Sequence, residues 1–248
     1  MTHYIVFDLE FNQHFSDLKS LKKVKKQCPF EIIQIGAVKL DMNLNTISVF
    51  NRYVKPTIYS LVDPYITDLT GITTEQLLSA DSFSEVFNAY IEFIGTDDSV
   101  FCIWGMADMK ELFKNAEYHG LNKNHLPDLF INLQPYVSTH FGFSKNKLFS
   151  LQSAVEALNI LKPYPFHNAL HDAYYTAEIL KKINNSAFQA KRYDPNHVTL
   201  RTPQPKKRID VEKLLQQFEK MFTRELSKEE QNMIILAYQM GKTHQFIK

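Results

Sequence analysis

The chain has 248 residues, 44% hydrophobic and 13% aromatic, with 7 Gly and 10 Pro: enough apolar material for a substantial core, and too little Gly and Pro for a fibrous or low-complexity chain. Its 28 Lys and Arg against 27 Asp and Glu give a formal net charge of +1, so attraction for a polyanion has to come from how charge is distributed. Cys28 and Cys102 form no Cys-x-x-Cys pair, no apolar run approaches the roughly 20 residues of a membrane-spanning helix, and the Met-Thr-His-Tyr start lacks a signal-peptide pattern, so a cytoplasmic, non-membrane protein with two buried thiols is expected.

Residues 4–11 (YIVFDLEF), 31–40 (EIIQIGAVKL) and 46–55 (TISVFNRYVK) read as strands, and three in succession predict an antiparallel start to a sheet. Phe83, Val86, Phe87, Tyr90, Ile91 and Ile94 keep helical spacing ahead of a buried strand at 99–104 (SVFCIW), and a helix feeding a strand implies an α/β crossover. Residues 106–118 are helical by pattern, as are 150–158, where Leu151, Ala154, Val155 and Leu158 follow Ser150 as N-cap. Ala169, Ala173, Thr176, Ala177 and Leu180 signal a further helix, whose small alanines allow close approach to a sheet. The fold class expected is α/β, a mixed sheet with helices on its faces.

From residue 187 to 208 the pattern breaks down, with three prolines and six Lys or Arg against one Asp, which reads as a basic linker. Val211, Leu214, Leu215, Phe218, Met221 and Phe222 then form an apolar stripe behind Asp210, and Ser227-Lys-Glu-Glu230 is a capping box opening a second helix with Ile234, Ala237 and Tyr238. The expected organisation is a domain at 1–184, a linker at 185–209 and a helical extension at 210–248, with no internal repeat.

Asp8 and Glu10 stand two apart on the first strand, so their side chains share one face, and burying two carboxylates there calls for a cation, a divalent metal being the usual remedy. The Asp-Leu-Glu alone equally fits a solvent-facing edge. In Tyr164-Pro-Phe-His-Asn-Ala-Leu-His-Asp, His167 lies in a Pro-stiffened loop and Asp172 just inside the next helix, which brings Asp172 towards the strand acids and lets His167 lean over the same place as a base. Asp108 follows a strand and a Gly turn, where helix capping and a catalytic role are both open.

In this chain order, Asp8-x-Glu10, Asp108 and His167-x4-Asp172 resemble the DEDDh exonucleases, the DnaQ-like superfamily with a ribonuclease-H-like fold. Phe30-Glu-Ile-Ile-Gln-Ile-Gly-Ala-Val38, Val54-Lys-Pro56 and the Leu-Thr-Gly-Ile-Thr of residues 69–73 extend the likeness across roughly residues 4–183. The insertion after Glu10, Asp108-Met109 and Leu148-Phe-Ser-Leu-Gln152 are most similar to the group of the histone-mRNA 3′-end exonuclease, the enhanced-RNAi exonuclease and the sporulation-inhibitor KapD proteins. The chain departs from proofreading relatives where Phe11-Asn12 replaces the usual Thr-Thr after the acidic pair.

The resemblance implies two Mg2+ or Mn2+ ions about 4 Å apart, held by Asp8, Glu10 and Asp172, with Asp108 reaching one through water and His167 as general base. It implies stepwise release of nucleoside 5′-monophosphates from the 3′ end of single-stranded nucleic acid, RNA favoured. Thr70, Gly71 and Ile72 would shape the pocket of the terminal nucleotide, with Leu9 and Phe11 as further substrate contacts, although Phe11 fits the core equally well. Lys19, Lys22, Lys23, Lys25 and Lys26, and Pro205-Lys-Lys-Arg208, either track phosphates or are solvated faces. Two other readings compete. One is a catalytically idle exonuclease fold serving as an RNA-binding or adaptor module, with the C-terminal helices as a surface for a protein partner. The other is a helix-turn-helix beginning at Leu226, for which the residues up to Lys248 leave little room, so packing of these helices on the catalytic domain is the preferred expectation.

Overall fold

A computed structural model describes residues 2–13, 28–96, 98–144, 147–183, 188–195 and 210–242. The chain divides into two units, Met1–His197 and Val198–Lys248.

In the first unit, β1 (His3–Asn12), β2 (Glu31–Leu40) and β3 (Thr46–Tyr53) form the expected antiparallel meander. Two short helices that periodicity leaves unmarked follow, α1 (Pro64–Thr70) and α2 (Thr74–Leu78). Asp63 caps the first, with Pro64 opening it, and a Thr73–Gln76 capping box starts the second. α3 (Phe83–Ile94), opened by a Ser82–Glu85 capping box, is the expected crossover, because β4 (Ser99–Ile103) then pairs parallel with β1. After α4 (Ala107–Tyr118), β5 (Leu129–Asn132) adds a second parallel pair. α5 (Gln134–His140), α6 (Leu151–Ala157) and α7 (Ala169–Ile183) precede β6 (Lys191–Arg192), which pairs antiparallel with β5. The sheet order is β3-β2-β1-β4-β5-β6. The stretch expected as linker from 185 therefore begins inside this unit. Its residues 191–193 are held by ladder bonds to β5 and by the Tyr193 ring, 4.8 Å from that of Phe113.

Strand alternation sorts β1 between two cores. Ile5, Phe7 and Leu9 enter a large cluster with Phe87 and Tyr90 of α3 and Met109 and Leu112 of α4. Val6 points the other way, to Ala173, Ala177 and Leu180 of α7, and so do Asp8 and Glu10 in phase with it. Each fully buried ring or branched aliphatic chain in these clusters contributes on the order of 2 kcal/mol. α6 packs on the outer side of α7 through Ala154, Val155 and Leu158. A bulge in β2 opposite the Glu10–Phe11 step changes its phase, so Ile32 stays in the large cluster while Ile33 turns into a smaller one with Val62, Ile66, Ile72 and Leu77. The bulge thus seats α1 and α2 beside the carboxyl end of β1, where Asn12 also binds Leu61 O at 2.9 Å and Asp63 N at 3.0 Å.

In the second unit, α8 (Val211–Phe222) and α9 (Lys228–Lys242) form at the expected places, Asp210 capping α8 and Ser227 exchanging bonds with Glu230 at the start of α9. Arg224 grips Glu230 with two bonds, of 2.6 and 2.9 Å. Among the described residues no helix is long and apolar enough to cross a membrane. Cys28 and Cys102 are buried and unpaired with each other, as expected, and burial pushes the Cys28 thiol up to about 12 and Cys102 higher still, so neither is a nucleophile at neutral pH.

Candidate active site

β1 carries Asp8 and Glu10 at its carboxyl end, and α7 crosses the same face. The approach is unusually close because the residue opposite Asp8 in the β1–β2 register is Gly36. A Cβ on Gly36 would lie 2.1 Å from the carbonyl carbon of Ala169, so any side chain there would push the helix away. Alanines on α7 account for only its side of this contact.

Each N–H group in the first turn of α7 has a partner, one of them on the sheet. Ala169 N–H donates to Gln34 Oε1 at 3.2 Å, those of Leu170 and His171 to Asn168 Oδ1, and that of Asp172 to Asn168 O at 2.9 Å. Asp172 in turn accepts the His167 N–H on Oδ2 at 3.2 Å. Its other oxygen, Oδ1, is buried without a hydrogen-bond partner. Asp8, Glu10 and Asp172 each offer a carboxylate oxygen, and these all lie within 4.8 Å of one another. Glu10 and Asp172 are each only 9% exposed.

Asp108 approaches from the neighbouring parallel strand. β4 ends at Ile103, Gly105 makes the turn with φ 91°, a conformation open to Gly, and Asp108 follows in the first turn of α4. The N-cap position belongs to Met106, which makes no side-chain cap bond, so capping does not account for Asp108. Asp108 stands outside the close trio yet within reach of its field.

Four carboxylates in one poorly solvated place resist ionisation. Burial first, then the charges of Asp108, Asp172 and Glu10, hold Asp8 well above the ordinary carboxylate range. Burial, with Asp172 and Asp108, lifts Glu10 to about 8. Burial lifts Asp108 to about 7 against its own backbone N–H, with Asp172 and Glu111 adding to the rise. Asp172 rises to about 6, again by burial, with the His167 N–H opposing. An all-oxygen donor set with a buried, unpartnered Asp172 Oδ1 fits a hard divalent cation such as Mg2+ or Mn2+.

His167 is exposed and adopts φ 64°, left-handed for a residue with a side chain. Its loop is fixed from below by Tyr175, whose hydroxyl donates to Tyr164 O at 2.6 Å and accepts from Tyr164 N at 3.0 Å, with the Phe166 ring stacked at 4.7 Å.

The expected substrate contacts divide. Thr70 is half-buried, its hydroxyl donating to Ile66 O and accepting from Ile72 N, and exposed Gly71 ends α1 in a left-handed turn. Leu9 and Ile72, 3% and 2% exposed, bury their side chains in the two clusters, which leaves only their backbone for a ligand. Phe11 is half-buried, with its ring 6.0 Å from Phe30. Lys19, Lys22, Lys23, Lys25, Lys26 and the run at 205–208 lie outside the described residues. Gln34 and Gly36, which hold α7 in place, are not singled out by any chemical pattern in the sequence; a polar Gln and a Gly inside an otherwise apolar strand are the available signal.

The RNase_T family model, described as Exonuclease, matches residues 5–180. The chain is 26% identical over 170 residues to ERI1 exoribonuclease 3 of Homo sapiens, covering 64% of this chain and 50% of that protein. It is 26% identical over 172 residues to 3′-5′ exonuclease crn-4 of Caenorhabditis elegans, covering 63% and 57%. It thus spans about half the length of the first of these curated relatives. The nuclease domain of 3′hExo, a DEDDh family member bound to rAMP, superposes with a TM-score of 0.64 at 21% identity, over 77% of this chain and 96% of that one. At that identity the likeness establishes the fold, a ribonuclease-H-like mixed sheet flanked by helices.

Proposed function

Since the chain belongs to the RNase_T exonuclease family, we propose that it is a metal-dependent 3′-5′ exonuclease that removes nucleoside 5′-monophosphates from single-stranded nucleic acid, RNA in preference to DNA. The observation that carries this is the trio of carboxylates, Asp8, Glu10 and Asp172, converging within 4.8 Å with one oxygen of Asp172 unpartnered.

In this reading Asp8, Glu10 and Asp172 would hold two divalent cations, Mg2+ or Mn2+, with Asp108 contributing through water. Bound there, such ions supply Lewis acidity towards water and towards the scissile phosphodiester. His167 takes the proton of the attacking water, and its exposed ring is free to turn towards a substrate end. Asp172 aids this through its bond to the His167 N–H, which ties the base to the ligand set. Thr70 and Gly71, with the backbone of Leu9 and Ile72 and the face of Phe11, bound the terminal nucleotide. The RNA preference rests on what the relatives are named for, an exoribonuclease and a nuclease domain bound to rAMP. The same proposal takes residues 1–184, extended by β6, as the catalytic domain, the rest of the stretch to 209 as a basic linker, the C-terminal helices as a surface for a protein partner, and a cytoplasmic setting.

The test is incubation of purified protein with 5′-labelled single-stranded RNA and DNA, with EDTA or Mn2+. A ladder shortening from the 3′ end, dependent on Mn2+ and stopped by a blocked 3′ hydroxyl, is expected. Rapid linearisation of a circular RNA would sink the exonuclease assignment.

A further inference from the structure

The two strand acids have β2 residues as cross-strand neighbours: Asp8 faces Gly36 and Glu10 faces Gln34. Both neighbours act on the same point of α7. Gly36 lets the backbone of Ala169 come down onto the sheet, where a Cβ would be 2.1 Å away. Gln34 meets it there, its Oε1 accepting the Ala169 N–H at 3.2 Å. The other end of the Gln34 amide is anchored as well, Nε2 donating to Asn51 Oδ1 of β3 at 2.9 Å. Gln34 itself is fully buried. A buried amide with both ends bonded has one orientation, and here that orientation fixes how far the first turn of α7 stands from the sheet. Asp172 lies in that turn, with its N–H on Asn168 O, so the spacing of Asp172 from Asp8 and Glu10 is set by the same contact.

We propose that Gln34 is the positioning residue of the site, holding Asp172 at chelating distance from Asp8 and Glu10 by docking the N-terminus of α7, and that Asn51 locks it in place. The inference rests on the metal-site reading above. Gln34 is not one of the residues proposed to hold the ions or touch the substrate. Its role is geometric, and partners of this kind change metal affinity by about 10- to 100-fold when lost.

The experiment measures Mn2+ binding to the metal-free full chain by calorimetry or electron paramagnetic resonance, well below the melting transition. Gln34→Leu keeps the shape without an acceptor, and its Mn2+ affinity is expected to fall 10- to 100-fold. Gln34→Glu keeps an oxygen for the Ala169 N–H, and the Asn51 amide can turn its N–H group to the second oxygen, so it is expected to stay within a few-fold of wild type. Asn51→Ala, at an exposed position on an edge strand, releases only the far end of the amide and is expected to weaken binding several-fold. Wild-type Mn2+ affinity in folded Gln34→Leu, or in Asn51→Ala should Gln34→Leu not fold, overturns the proposal and leaves the metal site standing. A wild-type chain that binds no Mn2+ removes the metal site and this inference together.

Discussion

The main-chain N–H of His167 donates to Oδ2 of Asp172 at 3.2 Å, five residues along the chain and across the start of α7. One oxygen of that carboxylate is thereby committed to the loop, while Oδ1 stays buried without a hydrogen-bond partner. The two sites of the His-x4-Asp pattern are joined through backbone, which leaves the imidazole free for other work.

Replacing Asp172 separates its charge from its hydrogen bond. Asp172→Asn retains an oxygen for the His167 N–H and removes one charge from the cluster. Nucleolysis should vanish, while the metal-free protein melts at a temperature at least equal to wild type at pH 8, because burial holds this carboxyl up at about 6. Loss of activity in step with loss of the cooperative melt would assign Asp172 to structure alone.

At His167 the side chain and the backbone can be tested apart. His167→Ala should lower turnover by a factor of about 10² to 10⁴ with Mn2+ affinity little changed, the range for a lost general base. His167→Gly should be equally slow, yet more stable than the Ala variant by roughly 1 kcal/mol, since φ is 64°. Equal melting temperatures for the pair would show that the loop relaxes.

Metal-free stability should depend on pH in a defined direction. Glu10, Asp108 and Asp172 rise in the fold to about 8, 7 and 6. Raised carboxyl groups stabilise fully below their unfolded values near 4, and that stabilisation is lost as pH climbs through the folded values. The melting temperature of the metal-free chain should therefore fall between about pH 5 and 8, by more than about 5 °C given 2–4 °C per kcal/mol at this size. Saturating Mn2+ should flatten the fall. A profile rising with pH over that window would contradict the cluster's electrostatics.

Gly36→Ala places a methyl 2.1 Å from the Ala169 backbone, so the helix or the strand has to shift. A destabilisation of at least about 2 kcal/mol is expected in chemical denaturation, with weaker Mn2+ binding. A variant of unchanged stability would mean that α7 can lift without cost.

The elements legible in the sequence are those with a clear period or cap signal, β1 to β3, α3, β4, α4, α6, α7, α8 and α9. α1, α2, β5 and α5 run from five to seven residues in the helices and four in the strand, and none carries the apolar spacing that marks the equally short α6 behind its Ser150 cap. They exist because Ile66, Ile72 and Leu77 find Ile33, and because Ile131 and Leu133 find the α7 side of the sheet. The acids and His167 were legible because their chemistry is conspicuous. Gln34 was not, since its significance depends on a helix that starts 135 residues later.

The Tyr175 hydroxyl grips both the N–H and the carbonyl of Tyr164, so the loop bearing His167 is riveted to α7 rather than to the sheet. His167 and Asp172 accordingly belong to one side of the site, and Asp8 and Glu10, strung on β1, to the other. The seam between the two sides runs along the Gly36–Ala169 contact, so any shift of α7 against the sheet would change the gap between the strand and helix carboxylates while leaving the separations within each side intact.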